Sequence, residues 1–141
     1  MKFIKILNTL LLFILFTEQT YADIKFFEED LDKFEKKEFE KAKFKFEQDL
    51  VYNPRSVKGY LYLSKIYNIQ NNKKLEEKNL DTVILLSPKN EEAIYNLAEL
   101  KLEESDYNES KNLIDQLLVI CKNYCIKGKR LKVDIEKSLR K

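Results

Sequence analysis

The chain contains no histidine, and among its 141 residues only two glycines, two prolines and two cysteines. Without histidine it lacks the side chain that most often serves as a general base and is the commonest metal ligand. Two cysteines with no third Cys or His are too few for a zinc-type metal site. Two glycines leave no phosphate-cradling loop, and no nucleophile motif is present. The carboxylates alternate with Lys as they do on solvated helix faces, and nothing selects a pair of them for acid–base work. The sequence therefore predicts no enzyme: no catalytic residue, no metal site, no cofactor. Scarce Gly and Pro also leave little of the chain for strands and tight hairpins.

Charge excludes a further class. With 26 basic and 24 acidic side chains the net charge is +2. A nucleic-acid or polyanion binder would show a clustered basic excess.

What is present begins with an address. Lys2 and Lys5 give a basic start, and Ile6 to Phe16 is apolar apart from Asn8 and Thr9. Polar residues follow, ending in Thr20-Tyr21-Ala22, with a small residue where signal peptidase prefers one. This is the layout of a secretory signal peptide over residues 1–22. The apolar stretch of about a dozen residues is short of the roughly 20 that a membrane-spanning helix needs. An uncleaved N-terminal anchor is the alternative. The signal reading places the mature chain, from Asp23, in the periplasm or outside a bacterial cell, with membrane contact not expected after cleavage.

The mature segment is Glu/Lys-rich with apolar residues every three or four positions, the pattern of amphipathic helices. Pro54 and Pro88 stand 34 residues apart, each closing such a segment. A fixed period of this length marks stacked helical hairpins. From Val57 to Asn90, a first helix carries Tyr60, Leu63, Ser64 and Tyr67, in a large–large–small–aromatic order. Asn71-Asn72 makes a turn, and Leu80, Val83, Ile84 and Leu86 follow before Pro88 stops the second helix. From Glu91 to Tyr124 the plan recurs through Ile94, Leu97 and Ala98, a turn at Ser105-Asp106-Tyr107 with Asp106 as N-cap, then Ser110, Ile114, Leu117 and Leu118. The earliest copy is least regular. Its second helix matches through Phe39, Ala42, Phe46, Leu50 and Pro54, but Phe27, Leu31 and Phe34 fit its first helix only with a turn one residue shorter.

These residues resemble a tetratricopeptide repeat protein. The resemblance implies an all-α, right-handed superhelical stack of three hairpins, residues 23–56, 57–90 and 91–124, and a C-terminal capping helix over 125–141. Two positions depart from the family pattern: Lys73 stands where an aromatic is usual, and Glu76 where Ala is usual. Together they imply a locally looser hairpin, the alternative being an edge that meets a partner. The cap carries Leu131, Ile135 and Leu139 at four-residue steps, as a helix covering the last apolar face of a repeat stack would.

In this family the first helices line a concave groove that receives a peptide or a partner helix. By matched position the groove residues are Lys58, Leu61, Tyr62, Lys65, Asn68 and Ile69 from one repeat. Glu92, Tyr95, Asn96, Glu99 and Leu102 come from the next. Tyr62 and Tyr95 are the expected aromatic anchors, and Tyr60 is expected inside. The Lys/Asn clamp with which some cytosolic chaperone-binding members hold a C-terminal carboxylate is not present as a set.

Cys121 and Cys125 lie at the junction of the last repeat and the cap. Export and an even count support a structural disulfide, and Asn123 between them suggests a short loop that could bring the sulfurs together. Two unpaired buried thiols remain an alternative. The expected function is a non-enzymatic protein–protein interaction adaptor or assembly factor of the bacterial cell envelope, with a protein or peptide partner. The alternatives are a small structural subunit of an envelope complex or homo-oligomer, and a regulatory accessory of a cell-wall or secretion enzyme.

Overall fold

A computed structural model describes residues 31–140. The signal segment 1–22, the start of the first repeat with Phe27, and Lys141 lie outside the described residues. The chain divides into two compact units, Met1–Asp49 and Leu50–Lys141. The first contains a helical stretch over residues 31–35 and most of helix α1 (Phe39–Tyr52). Ala42 and Phe46 of α1 are buried, and the rings of Phe34 and Phe39 meet edge to face at 5.7 Å. The second unit contains α2 (Val57–Ile69), α3 (Lys73–Leu86), α4 (Glu91–Glu103), α5 (Tyr107–Ile120) and α6 (Cys125–Leu139). No strand occurs among the described residues.

The 34-residue period governs where helices begin. α2, α4 and α6 start one period apart, as do α1, α3 and α5. Short polar side chains set several of these starts by accepting orphan backbone N–H groups. Ser56 accepts from the Gly59 amide at 3.2 Å and Asn72 from Leu75 at 3.2 Å. Asn90 accepts from Ala93 at 3.0 Å, and Asp106, as expected, from Glu109 at 3.1 Å.

Hairpin turns obey the same period. Lys37, Asn71 and Ser105 have φ of 61°, 54° and 64°, the left-handed conformation that Gly usually supplies. The residue after each donates its amide back to Lys33, Tyr67 and Lys101, closing a Schellman-type end. A left-handed side-chain-bearing residue costs on the order of 1 kcal/mol. Asn71 suits this conformation, whereas at Lys37 and Ser105 the cost is offset by packing of the helices that the turn joins. All three turns have one length, so the shorter first turn inferred from Phe27, Leu31 and Phe34 is incorrect. Its hydrophobic spacing was matched one residue out of register; Leu31 and Phe34 are only partly buried.

The core of the second unit runs through both hairpins into α6. Leu63, Leu97 and Leu131, each a period apart, are buried. Leu80, Val83, Ala93, Ile94, Ala98, Ile114, Leu117 and Ile135 fill the layers between. Small residues allow close approach: Ser110, fully buried, donates its hydroxyl to the Ala98 carbonyl at 2.7 Å and so ties α5 to α4. Gly128 does the same for α6, since a Cβ there would lie 3.2 Å from both Leu117 Cδ2 and Leu118 Cδ2. Leu131 and Ile135 of the cap are buried, whereas Leu139 is 44% exposed. No described helix is long and apolar enough to cross a membrane.

Two inferences from the family pattern need correction. Tyr60 is not inside. It is half-buried, packs on the edge of the core, and its hydroxyl donates outward to the Pro54 carbonyl at 3.3 Å. The α2–α3 hairpin is not loosened at Glu76, which is buried at 4% exposure. Its carboxylate accepts from the Asn68 amide at 3.0 Å, so a polar bond closes the space that Ala42 and Ser110 leave to packing in the other repeats. Lys73 reaches across to Glu103 at 3.1 Å.

Candidate binding face

The outward residues of the first helices, α2 and α4, form one connected surface. Lys65 of α2 bridges to Glu92 of α4 at 2.8 Å, and its ammonium also lies 4.5 Å from the centre of the Tyr62 ring. The side chains of that ion pair are only 25% and 32% exposed, so the bridge is less screened than an exposed one. Tyr62 is thus backed by a cation held in place from the neighbouring repeat.

Tyr95 is held more tightly. Its hydroxyl donates to Glu99 at 2.6 Å, and its ring packs 5.4 Å from that of Tyr124. The Lys127 ammonium lies over both rings, 5.7 Å from Tyr95 and 4.8 Å from Tyr124. Burial, then the Glu99 carboxylate, push the Tyr95 hydroxyl well above the usual phenol range. Burial and the nearby Glu92 also raise Tyr124. Both therefore stay protonated and can donate hydrogen bonds.

The remaining positions divide by role. Lys58, Asn68, Ile69 and Glu99 are exposed; Asn96 is half-buried. Asn68 donates to Glu76 and so belongs to the hairpin as much as to its surface. Leu102 and Tyr95 are half-buried and pack partly on the core. Leu61 must be removed from the groove set. It is only 8% exposed and lies in the core cluster, because its matched position on α2 faces inward while Tyr95, its counterpart on α4, turns toward Tyr124.

Sequence reasoning missed Tyr124, Lys127 and Glu91. Glu91, at the first turn of α4, accepts backbone N–H groups from Lys122, Asn123 and Tyr124 at 2.8, 2.8 and 2.9 Å. These bonds, the one from Tyr124 foremost, hold its carboxyl below the usual range. The clamp orders the segment that brings Tyr124 onto Tyr95. A signal for it existed: Pro54 and Pro88 recur as Lys122, which leaves the third turn without its rigid residue. The Sγ atoms of Cys121 and Cys125 lie 2.09 Å apart, at disulfide distance, with Cα atoms 5.3 Å apart. They bracket the clamped segment.

Two antiparallel helices per 34 residues, each packed on the next in sequence, are matched in solved structures. The first repeat domain of Spaghetti (RPAP3), bound to an HSP90 peptide, superposes with a TM-score of 0.77 over 84% of this chain and 94% of that one, at 12% identity. The fold is that of a tetratricopeptide repeat domain. The same tetratricopeptide architecture relates the chain to the TPR2B domain of yeast Sti1 in its pHsp70 complex, at TM-score 0.75, 12% identity, and 82% and 96% coverage. It also relates it to the Yersinia enterocolitica type III secretion chaperone SycD in complex with a peptide of the translocator YopD, at TM-score 0.68, 14% identity, and 82% and 88% coverage. No protein-family model and no curated protein matches the sequence.

Proposed function

We propose that the protein is a non-enzymatic interaction adaptor or assembly factor of the bacterial cell envelope, exported by residues 1–22 and binding a protein or peptide on the α2–α4 face. The observation that carries this reading is the Tyr62–Lys65–Glu92 contact, which joins two repeats into one prearranged surface with an aromatic at its centre. An aromatic already held in place loses little conformational freedom when a partner desolvates it. The solved structures of Spaghetti and SycD, similar in fold, hold peptides of their partners. The experiment is affinity capture of the tagged mature chain from envelope extract, compared with Tyr62→Ala. Loss of the captured protein at unchanged thermal midpoint supports the reading, and equal capture refutes it.

A second reading has its own observation. Val51, Leu85 and Val119, each one period apart near the ends of α1, α3 and α5, are 77%, 80% and 84% exposed. A repeated aliphatic position on the second helices is what a structural subunit, packed permanently in an oligomer or complex, would expose when alone. Sedimentation of the wild type against Leu85→Ser with Val119→Ser separates the two. A stable oligomer that the double substitution dissociates favours the subunit.

A further inference from the structure

The register of first helices does not stop at α4. α6 starts at Cys125, one period after Glu91 and two after Val57, so it occupies the first-helix position of the repeat. The outward positions of α2 and α4 therefore recur on it. Lys58 and Glu92 are followed by Ile126, Tyr95 by Lys129 (Leu61, the α2 counterpart, faces inward), Tyr62 and Asn96 by Arg130, Lys65 and Glu99 by Val133, and Ile69 and Glu103 by Lys137. All five α6 residues are exposed, Ile126 at 69% and Val133 at 49%, while Gly128, Leu131 and Ile135 on the other side are buried.

α6 is not a loose tail. The Glu91 clamp and the Cys121–Cys125 bridge fix the segment before it. Lys127 on its first turn covers Tyr95 of α4, so its outward row continues the α4 surface. The chemistry of the row differs from that of α4. Lys132 is bound to Asp115 and Lys137 to Asp134, but Lys129 and Arg130 have no ion-pair partner among the described residues. Two uncompensated cations thus stand between two exposed aliphatic side chains at helical spacing.

We propose that this row of α6 is a further docking strip, continuous with the α4 face, for an acidic, aliphatic-bearing segment of the protein partner. The proposal rests on the reading of the first-helix face as the binding surface. Charge complementarity selects the occupant: carboxylates would neutralise Lys129 and Arg130 while aliphatic side chains cover Ile126 and Val133. An anionic lipid surface would attract the same cations, but the few exposed apolar side chains of α6 are a small anchor for a helix lying in a membrane interface.

The test uses the full exported chain and fluorescein-labelled 12-residue peptides. One is built of Asp and Glu with Leu at every fourth position, and the other has Lys in place of the acids. Anisotropy should report binding of the acidic peptide alone, weakened at least about tenfold by Lys129→Glu with Arg130→Glu. Amide shifts in labelled protein should map to α6, and the variant should melt with the wild type. The proposal is overturned if the acidic peptide fails to bind, if both peptides bind alike, or if the charge reversal leaves affinity unchanged. Co-sedimentation with phosphatidylglycerol vesicles in place of peptide binding overturns it too and assigns the row to lipid. If these results go against α6 while Tyr62→Ala still loses the captured partner, the α6 strip alone is wrong. If Tyr62→Ala also captures normally, the first-helix reading fails with it.

Discussion

Replacing Glu76 by Gln should stabilise the fold at neutral pH and do nothing at acid pH. Glu76 occupies a position that is Ala42 and Ser110 in the other repeats, and its side chain is buried against α2. Burial raises its pKa above the ordinary value, the Asn68 hydrogen bond opposes this, and Glu103 adds to it. A carboxyl whose folded pKa lies above its unfolded one binds protons more readily when folded. Ionised Glu76 therefore subtracts stability at pH values above its folded pKa; the penalty fades as pH falls through the folded pKa and is gone below the unfolded value. Gln keeps an oxygen to accept from Asn68 and removes the charge. The gain at pH 7 should be about 1 kcal/mol, the burial penalty of the charge less the strength it lent to the hydrogen bond. For a domain of this size that is a rise of roughly 4 °C in midpoint. Thermal unfolding of wild type and Glu76→Gln, followed by circular dichroism at pH 7 and pH 3.5, measures the difference between them at each pH. Equal stabilisation at both would mean that charge is not the cause. Destabilisation at pH 7 would mean that the carboxylate has a buried partner other than Asn68.

Other outcomes follow from the same contacts. The native protein should show no free thiol under denaturing alkylation without reductant, and Cys121→Ser with Cys125→Ser should cost about 2 kcal/mol with helix content retained. Glu91→Ala should leave the fold intact but speed hydrogen exchange at the amides of Lys122, Asn123 and Tyr124, measured by mass spectrometry; unchanged exchange would deny the clamp. Gly128→Ala should change stability by less than about 1 kcal/mol, because the helix-propensity gain offsets crowding against the flexible tips of Leu117 and Leu118. Gly128→Val should be clearly destabilising. Intact mass of the exported protein should place its first residue at Asp23.

The hairpins were legible because two independent signals agreed. Apolar spacing gave the helices, and Pro54 with Pro88 gave the period. Burial of Leu63, Ser64, Tyr67, Leu97 and Ala98 follows from that pattern. What the pattern hid was which way borderline positions turn. Leu61 and Tyr95 share a repeat position, yet one is in the core and the other lies against Tyr124, because the neighbour of α4 is a cap carrying an aromatic at its start. Tyr60 went astray for the opposite reason: an aromatic near a helix start can leave its hydroxyl in solvent while its ring covers the core edge. Glu76 could not be read at all from propensity. A carboxylate in a small-residue slot is tolerable only because Asn68, eight residues earlier in sequence, folds over onto it. The Glu91 clamp is likewise a contact across more than thirty residues of chain, between a helix start and a loop with no pattern of its own.

Site-specific photocrosslinking in the living cell tests the central claim most directly. A benzophenone amino acid placed at Tyr62, at the centre of the α2–α4 face, should give a discrete adduct of higher mass in the envelope fraction. The same probe at Leu85, on the exposed side of α3, should give none. Adducts from Leu85 with none from Tyr62 would contradict the account and place the partner on the second helices.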